Sequence, residues 1–326
     1  MDESRRMSSN KLQSVEVAVS GCNVCLPAAE VQGRTVMVRG SWLKTAAVMD
    51  EELLEEEGVL DPESFIAQLK ASGLKADLFT FARKMPHTER EYNYHTEWDN
   101  IAALPIKSIP EWLETQVTYD VRKAVKRAGR RGVEARMVSF DDAFVAGIEK
   151  IYNESPMRQG RRFWHYGKDL ETLRREHSTY LDRCFFVGAY LDGELVGFIR
   201  MLRVGSYVAT LQVIGMMKYF EKKPVNALLV KAIEFCHEQG FTHLVYGEYE
   251  YGDPESSLTE FKRRNGFEKV LLPRYYIPLT WKGAIALRLG LHHRLSERIP
   301  LRLRRWLKRM RTAINMWRSR KALKAQ

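Results

Sequence analysis

The sequence predicts a mixed α/β protein, and three observations predict it. Asp192-Gly193 separates two apolar runs, and aspartate-glycine supplies the positive φ angles of a tight β-hairpin. Pro224 to Gln239 carries apolar residues at helical spacing and is closed by Gly240. Apolar strand-like runs such as Phe241–Tyr246 alternate with helices instead of following one another, as they would in an all-β chain. With 45% hydrophobic and 29% charged residues among 326, the chain has the balance of a folded protein rather than a disordered one. No run approaches the roughly 20 apolar residues of a membrane span. The first residues, with Asp2, Glu3, Arg5 and Arg6, lack the apolar segment of a secretory signal. Four cysteines do not make a disulfide framework at this length, so a reducing, cytoplasmic setting is expected.

Taken in order, Val15–Ser20, Thr35–Gly40, Leu78–Ala82 and Tyr92–Trp98 read as strands. Asp61-Pro62-Glu63 opens a helix with a capping side chain and a proline in the first turn, and it runs to Ser72 before Gly73. Residues 105–111, with two prolines, read as a connector. A helix is expected from Glu111 to Arg131, ending at Gly132, then others from Asp141 to Tyr152 and from Asp169 to Asp182. The hairpin Cys184–Tyr190 and Leu195–Arg203 follows, then the strand Tyr207–Gly215, the helix from Pro224 and the strand Phe241–Tyr246. Asp253-Pro254 starts a helix that Gly266 ends, and Lys269–Pro278 is an aromatic strand.

From Asp141 onward the predicted order is therefore α, α, β-hairpin, β, α, β, α, β. That order resembles the GNAT acyltransferase superfamily. Phe261-Lys262-Arg263-Arg264-Asn265-Gly266-Phe267-Glu268 is similar to the FxxxNGF passage that closes the penultimate helix there. Arg122-Lys123-Ala124-Val125-Lys126-Arg127-Ala128, followed by Gly132-Val133, resembles the basic helix of Fem-type aminoacyltransferases and their relatives in envelope-polysaccharide loci. The resemblance implies a mixed sheet, flanked by helices, that splays open between two neighbouring parallel strands. It places a GNAT domain at 111–281, preceded by an α/β region at 1–110, for which a degenerate first half of a tandem is one reading. A basic helical tail at 282–326 follows.

The resemblance also implies where chemistry sits. The donor's acyl carbonyl would rest on main-chain N–H of the strand 207–215, at Gln212 and Val213. Its pyrophosphate would meet the start of the next helix, where unpaired N–H groups attract anions, beside Lys222, Lys223 and Asn226. Acetyl-coenzyme A users usually have a glycine-rich loop here, whereas this chain reads Lys218-Tyr219-Phe220-Glu221-Lys222-Lys223-Pro224-Val225-Asn226-Ala227, without glycine. The donor is therefore open between acyl-coenzyme A, acetyl-coenzyme A foremost, and aminoacyl-tRNA, which some Fem-type relatives take. Amine acylation needs a base for the ammonium proton and an acid for the leaving group. In Tyr246-Gly247-Glu248-Tyr249-Glu250-Tyr251, Glu248 is the first choice of base and Tyr251 of acid, with Tyr246 beside the substrate. The plainer alternative is a solvated loop with tyrosines on its rim. Between 158 and 167, Arg158, Arg161 and Arg162 suit phosphate or carboxylate, Trp164 and Tyr166 suit stacking on a sugar or base, and His165 is a second candidate base. A lone histidine is more often structural. Cys22-x-x-Cys25 lacks a second pair at zinc spacing, and no metal is expected.

The net charge of +11 is unevenly placed: residues 282–326 hold 14 Lys+Arg against Glu297 alone, leaving 38 basic and 40 acidic residues elsewhere. From Pro300, Leu303, Trp306, Leu307, Met310, Ala313, Ile314 and Trp317 recur at spacings of three and four, flanked by arginines and lysines. This is the pattern of a helix lying in a membrane interface, so 300–317 is expected on the anionic inner leaflet. Packing on the chain's own domain and binding to RNA are the alternatives. The expected function is N-acyl transfer to an amine-bearing small-molecule or lipid-linked acceptor, such as an envelope or polysaccharide precursor, by a cytoplasmic, peripheral protein. The alternatives are Fem-like aminoacyl transfer from aminoacyl-tRNA and a catalytically silent GNAT-fold binding module. Co-sedimentation with liposomes of rising anionic content, run beside a tRNA gel shift, separates the tail's partners: vesicle binding that grows with anionic lipid and exceeds tRNA binding is the expected outcome.

Overall fold

The computed structural model describes residues 12–19, 22–158, 160–252 and 254–293; the basic segment from 300 onward lies outside them. In chain order the strands begin β1 (Gln13–Val19), β2 (Cys22–Val31), β3 (Arg34–Arg39), β4 (Thr45–Val48), β5 (Leu78–Ala82), β6 (His95–Pro105) and β7 (Glu134–Val138). They continue with β8 (Met157–Arg158), β9 (Arg161–Arg162), β10 (Cys184–Leu191), β11 (Glu194–Val204), β12 (Tyr207–Gly215), β13 (His243–Glu248) and β14 (Glu268–Pro278). The helices are α1 (Pro62–Ala71), α2 (Ile109–Glu111), α3 (Tyr119–Arg130), α4 (Asp142–Tyr152), α5 (Leu170–His177), α6 (Pro224–Glu238), α7 (Ser257–Arg264) and α8 (Trp281–Arg288). Among the described residues no helix is long and apolar enough to cross a membrane.

The described residues form two compact units, one from the segments up to 99 and from 271 on, the other from 100–270. The sequence reading places its boundaries at 110 and 281 instead. In the first unit the strand order is β1-β2-β3-β4-β5-β14, antiparallel except for β4 and β5, which run parallel on either side of the crossover through α1. Asp61 caps α1 by accepting from the N–H groups of Glu63 and Ser64, which is the role its place before Pro62 predicts. The core is aromatic: Phe65 stacks on Phe79 at 5.3 Å, and Tyr275 of β14 lies 5.1 Å from Phe81. The Tyr275 hydroxyl accepts from the Glu91 N–H at 2.9 Å.

In the second unit the order is β6-β13-β12-β11-β10-β7. The Asp192-Gly193 turn has φ of 49° and 81° and joins β10 to β11 as expected, with Leu191 opposite Glu194. β12 and β13 are parallel, connected through α6, whose buried face of Leu228, Leu229, Ala232, Ile233 and Cys236 packs on the sheet. Several elements depart from the sequence reading. The helix expected over 111–131 is broken: a π turn at Trp112–Gln116 ends in extended Val117, and α3 begins afterward. The break lets the buried Trp112 indole donate to the Asn265 carbonyl at 3.1 Å and lets the Thr118 N–H reach the Arg264 carbonyl. β6 starts later than the strand expected at Tyr92–Trp98 and extends it to Pro105, where the connector was expected to begin, and β4 and β7 are short strands whose sequence carries little signal. α7 starts later than expected, capped by Ser256, and Asp253 lies outside the described residues.

Because Tyr275 reaches the first unit's core from a strand near the end of the chain, Tyr275→Ala should destabilise that unit by about 3–5 kcal/mol. Urea unfolding followed by tryptophan fluorescence and circular dichroism measures this, with an earlier transition as the expected outcome.

Candidate functional site

The site begins with two strands that stop pairing. β12 and β13 are joined at Val208↔Leu244 and Ala209↔Val245, and there the ladder ends although β12 continues to Gly215. Two irregularities lie just past that point. On β12, Arg200 pairs with Gln212 but Met201 with Thr210, so Leu211 is an extra residue. On β13, Val245 pairs with Ala103 but Glu248 with Ile101 on β6, and Gly247 takes a φ of 55°. A bulge bends its strand and re-aims its side chains. One on each strand lets the pair diverge, leaving main-chain groups of β12 beyond Ala209 without a β13 partner.

The loop after α4 covers the diverging half of β12. Glu154 anchors it: its carboxylate accepts from the N–H groups of Met217 at 2.8 Å and Lys218 at 2.6 Å. Arg158 donates to Glu154 at 3.1 Å and to the carbonyl of Gly215 at 2.9 Å. Its charge is thus already engaged in holding the end of β12. Arg161 and Arg162 lie exposed on the β8–β9 hairpin, and the side chains of Trp164 and Tyr166 are also exposed. His165 is buried, with Trp164 on one side at 3.6 Å between ring centroids and Tyr152 at 4.4 Å. Its Nε2 lies 3.4 Å from the Gln212 amide nitrogen, so two residues 47 positions apart, both singled out from the sequence, meet here. Burial, with the charges of Lys168, His177 and Arg158 adding to it, lowers the His165 pKa to about 3. Burial and Arg200 lower that of His177, whose Nε2 meets the Tyr152 hydroxyl at 3.2 Å, to about 4.

At the end of β13 a second group forms. Lys262 of α7 is fully buried; its ammonium donates to the Glu248 carbonyl and lies 4.8 Å from the ring centres of both Tyr246 and Tyr251. Burial lowers its pKa to about 8 against the opposing pull of Glu248. Tyr246 packs against Phe261 and Phe267, and burial pushes its pKa up to about 12. Tyr251 is half exposed, and its pKa is raised by burial and by the Glu248 charge. Gly247 is required by its positive φ, and a Cβ there, 2.4 Å from the Tyr251 hydroxyl, would also push that ring aside. Glu248 itself is exposed at the strand end. Lys262 is the residue the sequence reading passes over. It sits in the FxxxNGF passage among Arg263 and Arg264, which pair with Glu260 on the outer face, and only its burial distinguishes it.

Lys222, Lys223 and Asn226 do lie at the start of α6, but the place is less suited to an anion than the sequence suggests. Lys223 occupies the left-handed region at φ 62°, Pro224 has no N–H, and the Asn226 N–H already donates to the Lys223 carbonyl at 3.1 Å. Val213 is half-buried against the core. An open cavity of about 760 Å³ lies elsewhere in the same unit, against β7, α4 and the 193–195 turn, and holds none of these groups.

Residues 116–263 match the family model described as "Acetyltransferase (GNAT) domain". Among solved structures, FemX aligns with a TM-score of 0.52 at 12% identity over 80% of this chain and 88% of its own. L-PGS from Bacillus licheniformis gives 0.52 at 15% identity over 81% and 88%. The C-terminal DUF2156 domain of a protein from Agrobacterium fabrum, described as a lysylphosphatidylglycerol synthetase, gives 0.51 at 13% identity over 80% and 86%. These likenesses are of fold. No curated protein matches the sequence.

Folded pKa values near 3 and 4 for His165 and His177 lie below the unfolded value of about 6.5. The unfolded chain therefore binds more protons as pH falls from about 6.5 toward 3, and stability falls with it. The melting temperature should drop between pH 7 and pH 4.5, and less so in the double variant His165→Gln, His177→Gln. Imidazole NMR should find His165 neutral at pH 5.

Proposed function

We propose, from the premise that residues 116–263 form a GNAT-type acyltransferase domain, that this chain transfers an acyl group from a thioester or ester donor to an amine held where β12 and β13 part. The observation that carries the reading is the ladder ending at Ala209↔Val245 with a bulge on each strand beyond it. Free main-chain N–H groups in a groove closed off from water can polarise a carbonyl and hold the oxyanion that forms when nitrogen attacks.

In this reading the amine's lone pair forms the C–N bond and the carbonyl electrons move to oxygen. Collapse then breaks the bond to the donor's sulfur or oxygen. Glu248 accepts the ammonium proton, and the Tyr251 hydroxyl donates to the leaving group and is reprotonated from Glu248. Lys262 is a positioning residue, fixing the Glu248 main chain and both tyrosine rings. His165, held neutral and weakly basic, is poorly matched to an ammonium proton at neutral pH; its part is to orient Gln212. Arg161, Arg162, Trp164 and Tyr166, exposed on the covering loop, meet the acceptor.

Two donors fit this chemistry. Acyl-coenzyme A, acetyl-coenzyme A foremost, is the usual partner of the domain, with Lys222 and Lys223 near its phosphates. Aminoacyl-tRNA is favoured by one observation, that α6 opens with Pro224 and an engaged Asn226 N–H and so offers few free donors to a pyrophosphate. For the acceptor, an envelope or polysaccharide precursor at the inner membrane surface suits the basic segment of the sequence from 300 to 317. A catalytically silent module is the outcome if neither donor binds.

A donor that binds the folded chain raises its melting temperature by mass action. Scans with coenzyme A, acetyl-coenzyme A and charged tRNA should give a rise with one of them, and no rise at millimolar coenzyme A or micromolar tRNA would leave only the silent module. With the donor known, Glu248→Gln should lower kcat by roughly 10²–10⁴-fold while the donor still raises the melting temperature. Unchanged activity removes Glu248 as the base.

A further inference from the structure

The first unit contains a cluster of side chains for which acyl transfer has no use. β6 opens His95-Thr96-Glu97, and residues two apart on a strand face the same way. The segment following α8 brings His292 and His293 to the same place. One carboxylate oxygen, Glu97 Oε1, lies 2.7 Å from His292 Nε2, 3.1 Å from His293 Nε2 and 3.4 Å from His95 Nε2. The potential ligand atoms of His95, Glu97 and His292 all fall within 4.8 Å of one another. The rings are held in place by contact: His292 lies 4.1 Å from His293 and 4.7 Å from Tyr276 between centroids. The His292 side chain is 3% exposed, and that of Glu97 is 27% exposed.

We propose that His95, Glu97 and His292 form a zinc site whose fourth position is open to solvent, with His293 beside Glu97. Three imidazole nitrogens converge on one carboxylate oxygen, a concentration of ligand-type atoms that a bound cation would use. A metal accounts for it directly. Bonds of about 2.0–2.1 Å in a tetrahedral zinc shell place neighbouring ligand atoms about 3.3 Å apart, and the His292 and His95 separations from Glu97, 2.7 and 3.4 Å, bracket that value. Imidazoles with one carboxylate suit zinc, nickel or copper; magnesium and calcium take all-oxygen shells. The exposed rings of His95 and His293 leave a route in from solvent. The ligands come from two segments 195 residues apart, one where the chain leaves the first unit and one beyond α8, after the chain has returned to it. The metal therefore acts as a clasp on that unit, fixing the residues from which the basic segment of the sequence departs. Sequence spacing gives no hint of it, since neither His95-x-Glu97 nor His292-His293 is a metal motif alone.

The test uses the full-length chain without a polyhistidine tag, stripped with EDTA and dialysed. Zinc chloride is titrated by calorimetry and cobalt(II) by visible absorption. The expected result is one zinc per chain at micromolar or tighter Kd, a raised melting temperature, and cobalt bands of a four-coordinate nitrogen–oxygen site. His95→Asn should weaken zinc binding by at least about ten-fold without shifting the melting temperature of the metal-free chain. Glu97→Gln should do the same to binding, and if that variant folds poorly His95→Asn decides the matter alone. Zinc binding equal in wild type and His95→Asn, no zinc binding by the wild type, or a cobalt spectrum like that of the hydrated ion would overturn the proposal.

Discussion

The acyl-transfer reading depends on a ladder that ends early. Parallel strands gain by continuing to pair, because each backbone group left without a partner costs free energy when water cannot reach it. β12 and β13 nevertheless separate after Ala209 and Val245, and the structure supplies a cause on each side. An inserted residue at Leu211 turns β12 away while β11 keeps hold of it. The bulge before Glu248, with Gly247 in the left-handed region, turns β13 while β6 keeps hold of it. Each strand is thus held by its outer neighbour where the two stop pairing with one another. The consequence is a stretch of β12 beyond Ala209 that has no β13 partner, which is where the proposed reading puts the donor's carbonyl.

The groups around the opening divide by the strand they rest on. On the β12 side, Glu154 and Arg158 lock the strand's end while His165, kept neutral by burial, lies against Gln212. The β13 side is organised by Lys262, a buried ammonium held by a carbonyl and two aromatic faces. Burying a charge this completely is costly unless it is partnered, and the same burial accounts for its lowered pKa. The passage Asn265-Gly266-Phe267 makes the placement possible. Asn265 closes α7 and receives the Trp112 indole, Gly266 turns at φ 83°, and Phe267 enters the core.

Much of this was legible in the sequence where local chemistry decides local structure. Asp192-Gly193 fixes a hairpin whatever surrounds it, Asp61-Pro62 starts a helix, and the apolar face of α6 implies a sheet to cover. That the segments holding Gln212 and Val245 are neighbours was implied by the GNAT resemblance that the order of elements carries. Illegible were features set by contacts distant in sequence. Nothing in Glu111–Arg131 announces a break at Val117, because the reason is the partnership of Trp112 and Thr118 with the end of α7. Lys262 has the same appearance as Arg263 and Arg264 until burial separates them. The strand Lys269–Pro278 was visible, but not that it pairs with Leu78–Ala82 rather than closing the domain it follows. At α6 the missing glycines were visible, whereas the engaged Asn226 N–H was not.

The most direct examination of the central claim is amide hydrogen exchange across β12, read residue by residue with and without a saturating acyl donor. If the groove grips the donor's carbonyl by main chain, protection should rise within Thr210–Gly215 and change little on the β11 side of the sheet. A donor that binds yet leaves those amides exchanging as before, with protection appearing elsewhere, would contradict the account.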